Sequence, residues 1–179
     1  MLRDNTKKLL NDFAEAVFAQ AKMNLHSQGK SATKKLENSF KKKVNASENS
    51  IQLSLEMAEH GFYIDEGVSG TQRGYNTRFK FGSGNFKGKG SLRRAIDKWV
   101  IAKGIEPRDS KGRFKKGRKS INWVIARSIY QKGLKPSKFM TMALEKEFKT
   151  LPNELVEAYG LDIDKFLAFA FKDNIKGIQ

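Results

Sequence analysis

Asp65 and Glu66 stand side by side, and neighbouring carboxylates are what a metal-dependent nuclease uses to hold Mg²⁺. Such a site needs several acids converging on the ion. The remaining acids of this chain are scattered, and no acid–lysine motif follows a strand. The pair reads instead as a cap or as the partner of a basic neighbour. The two histidines, His26 and His60, lie far apart and outside any HExxH-type spacing. His60, between Glu59 and Gly61, reads as a turn or surface residue. The chain has no cysteine, which excludes disulfides, thiolate zinc sites and cysteine nucleophiles. Glycines cluster as GSGNFKGKG over 82–90, but a phosphate-cradling P-loop needs G-x-x-x-x-G-K-[ST]. Gly84 and Gly88 are wrongly spaced, and Lys89 precedes Gly90 rather than a hydroxyl. What remains is a weak anion site where the loop meets a helix N-terminus. The expectation is a protein that is not an enzyme, with no catalytic residue, no metal and no cofactor.

The positive signal is charge. Of the formal +16 of the chain, residues 70–120 carry 16 Lys and Arg against 3 Asp and Glu, a balance of +13. Phe79, Phe81, Phe86 and Phe114 interleave with these cations, and glycines make the stretch pliable. That composition suits contact with phosphates rather than reading of bases. The same stretch also fits an acidic protein neighbour, or a solvated surface. No recognition-helix or RNA-binding sheet motif accompanies it.

The elements that must carry this charge read as follows. Residues 4–25 form an amphipathic helix, with Asp4 or Asn5 as N-cap and Leu9, Leu10, Phe13, Val17 and Ala21 or Leu25 at helical spacing. A short second helix is predicted over 31–43, with Leu36 and Phe40 on one face. Ile51, Leu53, Leu55 and Met57 alternate with polar residues, which predicts a strand over 49–57. RFKF at 78–81 reads as a short hairpin strand. Helices are predicted over 91–104 and from Ser120 to Gly133, joined by a pliable basic loop over 105–119. Residues 134–138 make a turn, from which Ser137 caps a further helix. Two more helical pieces, 151–159 and 162–171, are separated by Gly160. The predicted class is α+β: a long N-terminal helix, a small antiparallel sheet and several further helices, with a basic helix-and-loop insertion. The 179 residues fit a single domain, and 39% apolar content with 13 Phe suffices for a core. MLRDNTKKLLNDF lacks the apolar run of a signal peptide, and no stretch is apolar enough to span a membrane.

The order of these pieces resembles the tail-completion and neck proteins of tailed bacteriophages, the small head–tail connector class. The resemblance lies in the long first helix, then SATKKLENSF, then NSIQLSLEM. It continues in Tyr63-Ile64-Asp65-Glu66-Gly67-Val68-Ser69-Gly70 and in Lys135-Pro136-Ser137-Lys138-Phe139-Met140. It covers 1–70 and 120–160. The chain departs from the pattern by a long basic insertion, 71–119, between those last two segments, and by a helical C-terminal extension, 151–179.

The resemblance implies one connector-like domain over 1–179: a structural wedge that forms a homo-oligomeric ring in the virion neck. The ring would join the portal to adjacent neck or tail proteins around the DNA channel, after assembly in the host cytoplasm. Lys87, Lys89, Arg93, Arg94, Lys98, Arg113, Lys115, Lys116, Arg118 and Lys119 would then face the DNA backbone or grip an adjacent ring. Phe166, Phe169 and Phe171 would dock on a neighbour or pack internally. The alternative is a free accessory protein that binds nucleic acid without sequence preference.

Overall fold

A helix whose apolar residues fall every three or four positions buries one face, and the first helix of this protein does so along most of its length. In the computed structural model, α1 spans Asp4–Ser27, with Leu10, Phe13, Ala14, Val17, Phe18 and Ala21 all buried. The structure describes residues 4–31, 34–47, 50–81, 92–107, 109–113 and 118–176. The side chains of Arg93, Arg94 and residues 118–120 and 169–176 lie outside that description. The further elements are β1 (Lys41–Ala46), β2 (Ile51–Glu56), α2 (His60–Asp65), α3 (Leu92–Ala102), α4 (Arg118–Lys132), α5 (Phe139–Glu147) and α6 (Leu151–Lys176). The fold is α+β. The chain divides into two compact units: Met1–Asn24, Ser39–Met57 and Met140–Gln179 form one, Leu25–Asn38 and Ala58–Phe139 the other.

In the first unit, β1 and β2 form an antiparallel hairpin with Lys41 opposite Glu56 and Ala46 opposite Ile51. The helix expected over 31–43 is therefore replaced by a single 3₁₀ turn, Glu37–Ser39, and a strand. Three consecutive lysines explain the difference. In a helix they would follow one another around the axis and spread their charge over most of its circumference. In a strand they alternate between faces, and Lys42 turns to α1. Its ammonium donates to Glu15 Oε1 at 2.6 Å and to the Asn11 carbonyl at 3.2 Å. Phe40 stacks on Phe18 of α1 with ring centroids 5.1 Å apart.

α6 runs unbroken through Gly160, where two pieces were expected. A helical glycine costs about 1 kcal/mol relative to alanine. Leu151, Ala158 and Asp162 lie on one buried face that continues across it. Asp162 also makes the bonds that start α1. Its Oδ2 accepts from the Thr6 amide at 3.0 Å and the Thr6 hydroxyl at 2.7 Å, while Oδ1 accepts from the Asn5 amide at 3.0 Å. A carboxylate from α6 thus caps the first turn of α1. Burial opposes the charge on Asp162. The Thr6 hydroxyl, the two amides and nearby Lys165 outweigh that penalty and hold its carboxyl below the usual aspartate range.

The second unit is organised by two segments distant in sequence. Val68 and Leu134 exchange both backbone hydrogen bonds, at 2.9 and 2.8 Å. Thr71 N donates to Tyr130 O and Gln72 N to Gln131 O, at 3.0 and 2.9 Å. Lys138 N donates to Asp65 O at 3.0 Å. The Ser137 hydroxyl donates to Ile64 O at 2.7 Å, so it serves this clasp rather than the start of α5. The two strands of backbone approach so closely that a Cβ on Gly70 would lie 2.2 Å from Gln131 O. A Cβ on Gly133, whose φ is +78°, would lie 2.2 Å from Val68 O.

RFKF joins the same assembly, but not as a hairpin. Ser69 N donates to Phe79 O and Phe81 N to Ser69 O, a parallel bridge between Ser69 and Lys80. Beyond it, Ile96 and Val100 of α3 pack with Ala126 of α4, flanked by Leu92, Ile105, Ile121, Ile125 and Ile129. α4 begins at Arg118, two residues before the expected cap at Ser120, so Arg118 and Lys119 belong to a helix rather than to the loop.

Two stability measurements check this reading. Gly133→Ala adds left-handed backbone strain of about 1–2 kcal/mol and a backbone clash of about 1–3 kcal/mol. Denaturant titration should show the sum, with Gly74→Ala near neutral because nothing stands within 4 Å of that position. Asp162→Ala should cost about 1–3 kcal/mol near neutral pH. Because the folded pKa is lowered, that contribution is present above the ordinary value of 3.8 and disappears as pH falls below it. The wild-type and variant stabilities, measured against pH, should therefore converge in acid.

Candidate interaction surface

The ten cations singled out from sequence meet different fates. Lys87, Lys89, Lys115 and Lys116 lie outside the described residues, as does the glycine cluster at 82–90. Arg93 and Arg94 stand on α3, and Arg118 and Lys119 open α4. Arg113 is exposed on a tight turn in which Asp109 Oδ1 accepts from the Lys111 and Arg113 amides at 2.9 and 2.8 Å. Lys98 is exposed on α3 and borders a cavity.

Near the start of the insertion, positive charge is satisfied internally. Arg78 pairs with Glu66 at 2.8 Å and lies over the rings of Phe79 and Phe62, 4.8 and 5.9 Å from their centroids. Glu66 thus has the basic neighbour foreseen for it. Phe79 meets Tyr63 edge-on at 4.5 Å, and Phe81 packs on Tyr130 at 5.9 Å. These two aromatics anchor the insertion, and Phe79 also takes the Arg78 guanidinium on its face. Phe86 and Phe114 lie outside the described residues. Among the described residues, no group of three His, Asp or Glu could hold a metal ion, and no helix is long and apolar enough to cross a membrane.

The cavity, about 670 Å³, lies wholly in the second unit. Its floor is apolar: Leu25, Leu36, Ile64, Ile96, Trp99 and Leu134. Five lysines line it as well: Lys30, Lys34, Lys35, Lys98 and Lys135. None of the five closes an ion pair among the described residues. Glu37, the one acid lining it among the described residues, is already engaged. The Ser31 hydroxyl bonded to it does most to hold its carboxyl below the usual range, against the effect of burial. His26 Nε2, 3.1 Å from Glu37 Oε2, adds to the effect. His60, exposed at the start of α2, also borders the cavity.

Lys30 carries the electrostatic cost of this arrangement. Burial, and then the charge of Lys135 nearby, push its pKa below the ordinary lysine value. The lining thus joins apolar side chains to five lysines. Sequence reading missed this group because Lys30, Lys34 and Lys35 precede the basic insertion and Lys135 follows it. Only the clasp of 64–72 with 130–138, and the end of α1 at Gly29, bring them to Lys98. The one signal in the sequence was the lysine density of 30–35 just after a helix end.

No protein-family model, curated protein or solved structure matches this chain.

A charge deletion tests the electrostatics. Lys135→Met should raise the thermal midpoint at neutral pH and low salt by relieving Lys30. Added salt, which screens such repulsion over about 8–10 Å, should shrink the gain. Melts of both proteins at two salt concentrations measure it.

Proposed function

We propose that this protein is a structural subunit of the virion neck of a tailed bacteriophage, a ring component that joins portal to tail around the DNA channel. The observation that carries the reading is the clasp. Tyr63–Gly70 and Lys135–Met140, two of the five segments on which the resemblance rests, include the partners of one backbone ladder from Ile64–Asp65 to Ser137–Lys138. The long basic stretch between them therefore leaves and rejoins a shared frame at nearly one point, as an insertion into a connector frame would. Its charge balance of +13 suits contact with DNA phosphates or with an acidic neighbouring ring, and neither contact needs base recognition.

In this reading Lys98, Arg113 and the cations of α3 and α4 hold a polyanion through charge alone. The same cations would also serve a free accessory protein that coats nucleic acid, so location separates the two.

The test is mass spectrometry and immuno-labelled electron microscopy of purified particles. The expected result is the protein at the portal–tail junction in stoichiometric amount. Its absence from particles would overturn the neck reading and leave the accessory one. DNA retention by the purified protein should also fall log-linearly with salt, and equally for unrelated sequences. A marked preference for one sequence in that titration would contradict contact by charge alone.

A further inference from the structure

A helix that is buried on one face and apolar on the next has a second contact to make. On α6, Val156, Tyr159, Ile163, Phe166 and Leu167 follow the spacing i, i+3, i+7, i+10, i+11, which places them on one stripe. This is not the face that carries Leu151, Ala158 and Asp162. All five are exposed, from 42% for Ile163 to 75% for Val156. Five such side chains in register exceed the scattered apolar residues of an ordinary surface. Exposed Glu157 and Asp164 follow the far edge of the stripe.

The same chain carries the complementary surface. The cavity of the second unit offers an apolar floor and five lysines with no ion pair among the described residues. Its volume of about 670 Å³ accommodates several apolar side chains. We infer that the α6 stripe of one copy docks in the lysine-rimmed cavity of the next, with Glu157 and Asp164 facing the lysines. The contact is heterologous, because stripe and cavity are different surfaces. Repeated, it makes a closed ring or an open filament, according to the angle between copies. Burial and the charge of Lys135 lower the pKa of Lys30, and Asp65 offsets part of that effect. The inference deepens the ring assembly proposed above, by naming its two surfaces, and rests on that reading only for the closure of the ring.

A mixing experiment on the full-length protein tests it. In sedimentation velocity the wild type should associate as concentration rises, and more weakly at high salt. Phe166→Asp, which spoils the stripe, and Trp99→Asp, which spoils the cavity, should each run as monomers with wild-type circular dichroism. Mixed together they should form a heterodimer and nothing larger, because only one sound junction can form between them. Val156→Lys, at a position that is 75% exposed, replaces Phe166→Asp should that variant fold poorly. In the same way, Lys98→Glu replaces Trp99→Asp.

A cavity variant that associates like the wild type would overturn the inference and point to α6 pairing with itself. A mixture that stays monomeric, or a wild type that is monomeric at every concentration, would overturn it as well. None of these outcomes removes the protein from the virion neck. Conversely, absence from particles would leave the contact between copies standing.

Discussion

The second unit depends on two stretches of backbone lying nearly atom against atom. Residues 64–72 and 130–138 trade hydrogen bonds along their length, and Gly70 and Gly133 sit where any side chain would collide with the opposite main chain. That approach fixes the direction in which α4 ends and the point from which α5 sets out. It also fixes the base of the excursion that holds α3 and α4. Ser69 at the centre works twice over. Its main chain bridges to Phe79 and Phe81, and its hydroxyl exchanges bonds with Tyr75 at 2.9 and 3.0 Å. Backbone groups that would otherwise be left without partners are paired across the clasp.

With this frame in place, the positive charge of the protein sorts into two kinds. Arg78, with a carboxylate and two aromatic faces, is part of the architecture. The lysines around the cavity are brought together from three separate stretches of chain and repel one another. Lys30 feels that repulsion, and the carbonyl of Lys135 and the charge of Asp65 offset part of it. The amphipathic character of the hollow, more than its charge, separates it from a simple phosphate cradle.

Much of the architecture was legible from the residues. Period-two alternation fixed β2, helical spacing fixed α1 and α3, and glycines marked the ends of α1, α3 and α4. The misreadings share one cause: the deciding partner lay outside the segment being read. The lysine run at 41–43 became a strand because β2 offered it a ladder and Glu15 offered Lys42 a counter-ion. Gly160 failed to end α6 because the buried face resumes beyond it. Ser137, a plausible cap by type, bonds to Ile64 instead. The charged insertion was legible as a block, but not the lysine rim, since clusters assembled by tertiary pairing leave no local pattern.

The carboxylate that completes the first turn of α1 belongs to a residue 156 positions later than Thr6. In a chain made from its N-terminus onward, the opening helix must wait for Asp162 to emerge before that turn is closed. Closing so long a loop is slow relative to local helix growth. A nascent chain interrupted before α6 would present a frayed start to α1, the kind of lesion that chaperones and proteases detect. One buried aspartate thereby ties the quality of the beginning to the arrival of the far end.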